Sequence, residues 1–254
     1  MRLKVIGCSG GIGGSLRTTS LLLDHDVLID AGTGVGDLDL EALARIDHVF
    51  VTHSHLDHVT SIPFLADTVG GMRSEPLTVH ALPETIADLK QHLFNWKLWP
   101  DFTQIPSPER PLLRFSPVTV GSSVAIAGRT ITPVPAKHVV PAVGYALDSG
   151  VASLVFTGDT CGGDLFWHAV NQIGNLRYLI IETSFSDAER ELAIQARHLC
   201  PSLLAEQLTL LKRPAEIFIT HLKPGEGDKI MREIEMDAKP WKPQMLQHQQ
   251  VFDF

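Results

Sequence analysis

Cysteine is scarce: the 254 residues include three, Cys8, Cys161 and Cys200. An odd and small number excludes a disulfide framework, so the expected setting is the reduced cytoplasm. Cys161 stands close to Asp159, and a small buried residue is the simplest reading of it. Long apolar runs are missing too. None approaches the roughly 20 residues of a membrane span, so no membrane partner is expected. Basic runs are the third absence: 21 Lys and Arg stand against 29 Asp and Glu, a formal charge of −8. Long nucleic acids are held by broad basic surfaces, so a nucleic-acid partner is not expected and a small anionic substrate is favoured. No tandem repeat, low-complexity tract or linker interrupts the chain, and Pro106-Ser-Pro-Glu-Arg-Pro111 reads as a loop. One domain over residues 1–254 is expected, long enough to bury a large core. Met1-Arg-Leu-Lys-Val-Ile-Gly7 reads as an opening strand rather than a signal peptide.

Histidine, by contrast, is concentrated. The segment His53-Ser-His-Leu-Asp-His58 holds three imidazoles and a carboxylate in six residues. It directly follows an apolar run, 48–52, that reads as a short buried strand. The strand end sets His53, His55, Asp57 and His58 on the following turn, aimed at one point. Neutral imidazole and carboxylate are ligands for zinc, manganese or iron. Four of them exceed what one ion takes from a single turn, so the spacing suggests two metals side by side, and two metals suggest hydrolysis. A His-rich tract can also be a casual surface metal binder. Against that reading, His138, Asp159 and His221 each end a later apolar strand, which is where α/β proteins build sites over a rigid sheet.

Strands are expected at 3–7, 19–24, 27–30, 49–52, 77–80, 112–115, 123–127, 130–134, 143–147, 153–156, 178–181 and 216–219. Helices are expected at 61–69, 83–94, 163–173, 187–197, 201–211 and 228–236, with Pro83 and Pro201 suited to a first helical turn. Periodicity alone gives the α/β class, and the repeated order of strands and then helices suggests two mixed sheets covered by helices. The glycine-rich Gly7-Cys-Ser-Gly-Gly-Ile-Gly-Gly14 lacks the Gly-Lys-Ser/Thr ending of a P-loop, and no clean GxGxxG runs into a helix. It reads as a turn near the site, either holding an anion with its backbone N–H groups or purely structural. Phe94, Trp96, Trp99 and Phe102 read first as core filling or a dimer contact, and second as a wall that stacks on a nucleobase.

The order HxHxDH, His, Asp, His resembles the metallo-β-lactamase superfamily. Within it the chain is most similar to the class II cyclic-nucleotide phosphodiesterases, with the transfer-RNA 3′-processing endonucleases as neighbours. The resemblance runs nearly end to end: Gly7 to Gly14, Leu28-Ile-Asp-Ala-Gly-Thr33, the histidine motif, Leu93-Phe-Asn-Trp-Lys-Leu-Trp-Pro100, Phe156-Thr-Gly-Asp-Thr160, Ile181-Glu-Thr-Ser184, His198-Leu-Cys-Pro201 and Thr220-His-Leu-Lys-Pro224. HxHxDH is specific for the superfamily and not for the substrate. The segment from Phe94 to Pro100 and the contexts of His198 and His221 point toward the phosphodiesterases.

The resemblance implies an αββα sandwich of two mixed β-sheets flanked by helices. It implies two divalent metal ions, zinc first, with manganese or iron as alternatives. His53, His55 and His138 would hold the first, Asp57, His58 and His221 the second, and Asp159 would bridge them. Asp30 would orient the histidine loop from behind. The implied reaction is hydrolysis of 3′,5′-cyclic nucleotides, cAMP or cGMP, to 5′-nucleotides by a hydroxide shared between the metals. Asp57, His198 and Glu182 are the implied catalytic groups, with His198 as the acid for the leaving 3′ oxygen and Glu182 holding its ring. The duller reading of that pair is a surface salt bridge at the end of the 187–197 helix. One departure stands out: Ser61 occupies a position where the family often has glycine.

The alternatives are a phosphodiesterase on RNA 3′ ends and another reaction on the same fold, such as thioester hydrolysis or iron-dependent persulfide oxidation. The RNA class usually carries a long protruding arm, and no Gly/Pro-rich insertion of that kind is present here. The persulfide class tends to lose second-metal ligands, whereas Asp57, His58 and His221 are all present. A homodimer is left open.

Overall fold

Side chains on a β-strand alternate between two faces, and here both faces are apolar. In β1 (Arg2–Gly7), Leu3 and Val5 join one buried cluster and Ile6 another. In β3 (Val27–Ile29), Val27 and Ile29 go one way and Leu28 the other. In β13 (Leu176–Glu182), Tyr178 and Ile180 oppose Leu179 and Ile181. Strands covered on both sides require four layers, and the computed structural model, which describes residues 1–254, shows them.

The remaining strands are β2 (Ser20–Leu23), β4 (His48–Phe50), β5 (Leu77–Ala81), a two-residue hairpin of β6 (Pro106–Ser107) and β7 (Arg110–Pro111), β8 (Leu113–Pro117), β9 (Val124–Ile126), β10 (Arg129–Pro135), β11 (Val143–Asp148), β12 (Ser153–Phe156), β14 (Glu216–Thr220), β15 (Gln244–Met245) and β16 (Val251–Asp253). One seven-stranded sheet has the order β16-β1-β2-β3-β4-β5-β8 and the other β15-β14-β13-β12-β11-β10-β9. Each is antiparallel through one half, up to β3 or β12, and parallel through the other.

The helices are α1 (Leu40–Ala44), α2 (Leu56–Val59), α3 (Ser61–Val69), α4 (Pro83–Asp88), α5 (Asp164–Asn171), α6 (Arg190–Ala196), α7 (Pro201–Leu208) and α8 (Gly227–Asp237). The inner faces of the two sheets meet in a cluster centred on Phe50, Tyr145, Phe156 and Phe218. Ile62, Leu65 and Val69 of α3 cover the outer face of the first sheet. Trp167 of α5, Leu204 of α7 and Ile230 of α8 cover that of the second. At one end, the Arg129 guanidinium bonds both Asp26 oxygens, at 2.5 and 2.7 Å, and so ties the β2–β3 turn to the second sheet. No helix is long and apolar enough to cross a membrane.

The expected strands fall on observed ones, with ends shifted by a residue or two. Four short strands escape the sequence reading: β6, β7, β15 and β16. The last closes the first sheet by pairing with β1 across almost the whole chain length, a contact that no local pattern announces. The expected 83–94 helix narrows to α4 and continues as a π-turn over Leu89–Leu93. The expected 187–197 helix begins as a 3₁₀ turn at Asp187–Glu189. Asp30, Thr52, Asp159, Glu182 and His221 all lie at or just beyond the C-terminal ends of parallel strands, and this places them along one edge of the sandwich.

Candidate metal centre

The histidine motif is not a plain turn. After β4 the chain bends at Thr52 and Ser54, His55 takes the N-cap position of α2 with an extended backbone, and Asp57 and His58 lie within that single helical turn. Asp30 fixes the segment from behind. Its fully buried carboxylate accepts the Thr52 N–H and hydroxyl, each at 2.8 Å, and Nδ1–H of His58 at 2.7 Å. The Thr52 hydroxyl in turn accepts Nδ1–H of His53 at 3.0 Å. Both rings are thereby held with Nε2 bare. Ser61, at the position that departs from the family, donates its hydroxyl to the Gly32 carbonyl at 2.7 Å and so adds a tie between α3 and the Asp30 loop.

His138, beyond β10, donates Nδ1–H to the Arg197 carbonyl at 3.2 Å, and the Arg197 guanidinium returns a bond to the His138 carbonyl at 2.6 Å. Arg197 does this from a left-handed conformation with φ of 54°. His221, beyond β14, donates Nδ1–H to the Ser184 hydroxyl at 2.9 Å. Four imidazoles thus point Nε2 inward. Thr52, Ser184 and Arg197 were not found from the sequence. Thr52 and Ser184 carry one local signal, a place next to His53 or two residues after Glu182, but hydroxyls near motifs are too common to single them out.

The inward atoms form two groups. His53, His55, His138 and Asp159 have ligand atoms within 4.8 Å of one another, and so do Asp57, His58 and His221. Asp159 stands between them. Its Oδ1 is 3.4 Å from Nε2 of His58, and its Oδ2 is 3.7 Å from His53, 4.0 Å from His138 and 3.5 Å from His221. The Asp57 Oδ2 lies 3.1 Å from Nε2 of His221 and 3.6 Å from that of His58.

The residues fit bound cations. Nε2 of His53 and of His58 is buried without a hydrogen-bond partner, a costly state for a polar atom that a cation held in each ring's own group would relieve. Burial alone would raise Asp159, but His221, His58 and His53 outweigh it and hold the carboxyl well below the usual range. Burial pushes His53 well down, which keeps it neutral. Burial would also lower His58, yet Asp159 and Asp30 outweigh it and raise it. The surroundings of His58 therefore favour a positive charge there, which a metal ion supplies in place of a proton. The nitrogen and oxygen donor set suits zinc, manganese or iron.

Beside the groups, Glu182 holds His198 by Nδ1–H at 2.7 Å. This is not a surface ion pair: Glu182 is 0% exposed and His198 is 8% exposed. The carboxylate also accepts the Thr160 N–H at 3.1 Å. Burial alone would lower His198, but the Glu182 charge and hydrogen bond raise it. Its ring lies 4.8 Å from that of His138 and stacks at 5.5 Å on His221.

The glycine loop is a brace. A Cβ on Gly10 would stand 2.5 Å from the His221 carbonyl oxygen, so only glycine lets the loop approach that residue. The N–H groups of Cys8 and Ser9 go to the Arg17 carbonyl and that of Gly10 to Leu222, so this part of the loop has no donors left for an anion. Burial pushes the Cys8 thiol up to about 11, leaving it protonated. Cys161 donates its N–H to the Lys137 carbonyl, one residue before His138. Phe94 and Phe102 fill the first sheet's outer core, Trp99 meets Phe64 edge-on at 5.0 Å, and Trp96 is 63% exposed.

Comparison with known proteins agrees with this geometry. The family model of the beta-lactamase superfamily domain matches residues 25–222. The chain is 24% identical over 214 residues to a 3′,5′-cyclic-nucleotide phosphodiesterase of Aliivibrio fischeri, covering 70% of this chain and 60% of that one. It is 38% identical over 96 residues to a ribonuclease Z of Halorubrum lacusprofundi, covering 35% of this chain and 31% of that one. The matched regions thus span less than two thirds of these relatives' lengths. The crystal structure of unliganded yeast PDE1 superposes with a TM-score of 0.81 at 17% identity, covering 100% of this chain and 99% of that one, a likeness of fold. With its sandwich, its two His/Asp groups and a family match over most of its length, the chain belongs to the beta-lactamase superfamily.

Proposed function

We propose that the chain is a metal-dependent phosphodiesterase acting on small phosphodiesters, with 3′,5′-cyclic nucleotides as the favoured class. One observation carries the reading: Asp159 lies between two histidine groups, beside a buried His198–Glu182 pair. His53, His55 and His138 would hold one divalent ion and Asp57, His58 and His221 a second, with Asp159 shared; zinc fits first and manganese or iron also fit. Ions bound there supply Lewis acidity to a phosphoryl group and lower the pKa of water.

The chain's own residues do the rest. Asp30, Thr52 and Arg197 hold the imidazoles in register. Asp57 keeps a negative charge at the second group, because the His221 and His58 rings beside it outweigh its burial and lower its carboxyl. Glu182 holds Nδ1–H of His198, so Nε2 is the position that hands a proton to the leaving 3′ oxygen. The excess of 29 acidic over 21 basic residues supports a compact anionic substrate rather than a long nucleic acid. We place all of this in one domain over residues 1–254, because the two sheets share a single core. The three unpaired cysteines suit the cytoplasm.

A second reading, cleavage at RNA 3′ ends, draws on the ribonuclease Z match and uses the same residues. Parallel assays of the zinc-loaded protein with cAMP, cGMP, a 3′-extended transfer RNA and a thioester separate the readings. Conversion of a cyclic nucleotide to its 5′-monophosphate is expected. Cleavage of the RNA alone would move the substrate to the second reading, and cleavage of the thioester alone would overturn both.

A further inference from the structure

The side chain that joins the acid to the second histidine group is a serine. Ser184 follows the end of β13 and is fully buried. Its Oγ lies 2.9 Å from Nδ1 of His221, 3.1 Å from Oε2 of Glu182 and 3.2 Å from Nδ1 of His198. A hydroxyl has one proton to give and lone pairs to receive. Of the three neighbours, Glu182 is the one that takes the hydroxyl proton, at Oε2. Its lone pairs are then available to Nδ1–H of His221. That proton placement leaves Nε2 of His221 bare, and Nε2 is the atom that faces Asp57 at 3.1 Å and Asp159 at 3.5 Å. The other oxygen of the same carboxylate, Oε1, holds Nδ1–H of His198 at 2.7 Å. The path from His221 through Ser184 and Glu182 to His198 is therefore continuous. The two end rings are stacked, with planes 17° apart.

We infer that Ser184 is a positioning residue that sets the tautomer of His221 and registers that ring against His198. The inference rests on the reading that Asp57, His58 and His221 hold a metal ion. Without the hydroxyl, Nδ1–H of His221 loses its acceptor and the ring is free to turn or change tautomer. The His53, His55 and His138 group has its own supports in Thr52 and Arg197 and does not depend on Ser184. Loss should therefore fall on one group and spare the other. Partners of this kind commonly change metal affinity by about 10–100-fold.

The test is zinc binding by the full-length apo protein, read by competition with a chromophoric chelator and so independent of any substrate. Ser184→Ala is expected to weaken one equivalent of zinc by about 10–100-fold and to leave the other within about twofold. Ser184→Thr and Ser184→Val have nearly the same shape and differ in the hydroxyl, so Thr should restore the weak equivalent and Val should not. This pair decides the matter even where Ala disturbs folding. The histidine nitrogen shifts of the zinc-loaded Ala variant should show His221 losing its fixed Nδ1–H. Equal weakening of both equivalents, or equal behaviour of Thr and Val, would make Ser184 merely structural and overturn the inference. Wild-type affinity in Ser184→Ala would overturn it while leaving the metal reading intact. Failure of the wild-type protein to bind zinc, manganese or iron would overturn that reading itself, and with it this inference.

Discussion

Asp30 accepts Nδ1–H of His58 at 2.7 Å from a residue that is itself wholly buried. The same carboxylate holds Thr52, whose hydroxyl holds His53. One side chain outside the ligand groups thus sets the tautomers of two imidazoles, one in each group. Asp30→Asn keeps the size and the bond from the Thr52 N–H, but turns an N–H donor toward both His58 and the Thr52 hydroxyl, which share one oxygen of the carboxylate. The expected result is a folded protein with metal affinity lowered about 10–100-fold, read by chelator competition beside circular dichroism. Unchanged affinity would remove the supporting role.

Asp159 is the one carboxylate within 4 Å of four inward histidines, His53, His58, His138 and His221. Its removal leaves those rings facing each other with nothing between them. Asp159→Ala is expected to lose metal and activity together, measured as metal per chain and turnover on the same sample. Full occupancy with normal turnover would remove Asp159 from between the groups.

His198 also lies near Asp159 and His221, so geometry alone allows it as a ligand. Its Nδ1 is committed to Glu182, and the proposed acid role assigns it turnover rather than metal. His198→Ala should lower kcat by about 10²–10⁴-fold with metal content nearly unchanged. Loss of metal in this variant would make it a ligand or a support.

Away from the site, His80 on β5 stacks on Phe50 at 4.2 Å and is 5% exposed. Burial, with a smaller push from His48, lowers it from 6.5 to about 4. The folded value lies below the unfolded one, so its contribution to stability is complete above about pH 6.5 and fades as the pH falls toward 4. The difference corresponds to about 3 kcal/mol. His80→Phe keeps the stacking and removes the proton site. Urea denaturation at neutral and acid pH should show a smaller loss on acidification for the variant than for the parent. Equal losses would mean that His80 titrates normally.

The residues that meet at the site were legible because they close strands. An apolar run followed by His53, and later runs ending at His138, Asp159 and His221, place side chains on one edge of a sandwich whatever the details of packing. The repeated order of strands and then helices likewise suggested two sheets covered by helices, and the structure buries β1, β3 and β13 on both faces. What the sequence hid is non-local. β16 is a strand because it meets β1, and β15 because it meets β14. Ser184, Thr52 and Arg197 act through a hydroxyl or a carbonyl, groups that nearly every segment carries, so only their placement shows what they hold. The glycine loop was half-read: its glycines serve closeness to His221, and its early N–H groups are already bonded to the chain.

The most direct test of the account is turnover of cAMP and cGMP by the apo and zinc-loaded protein, with metal counted on the same samples. The account predicts no turnover without metal, and formation of the 5′-monophosphate that rises with occupancy of both histidine groups, at about two ions per chain. Metal-independent hydrolysis, or full occupancy without cleavage of any phosphodiester, would contradict it.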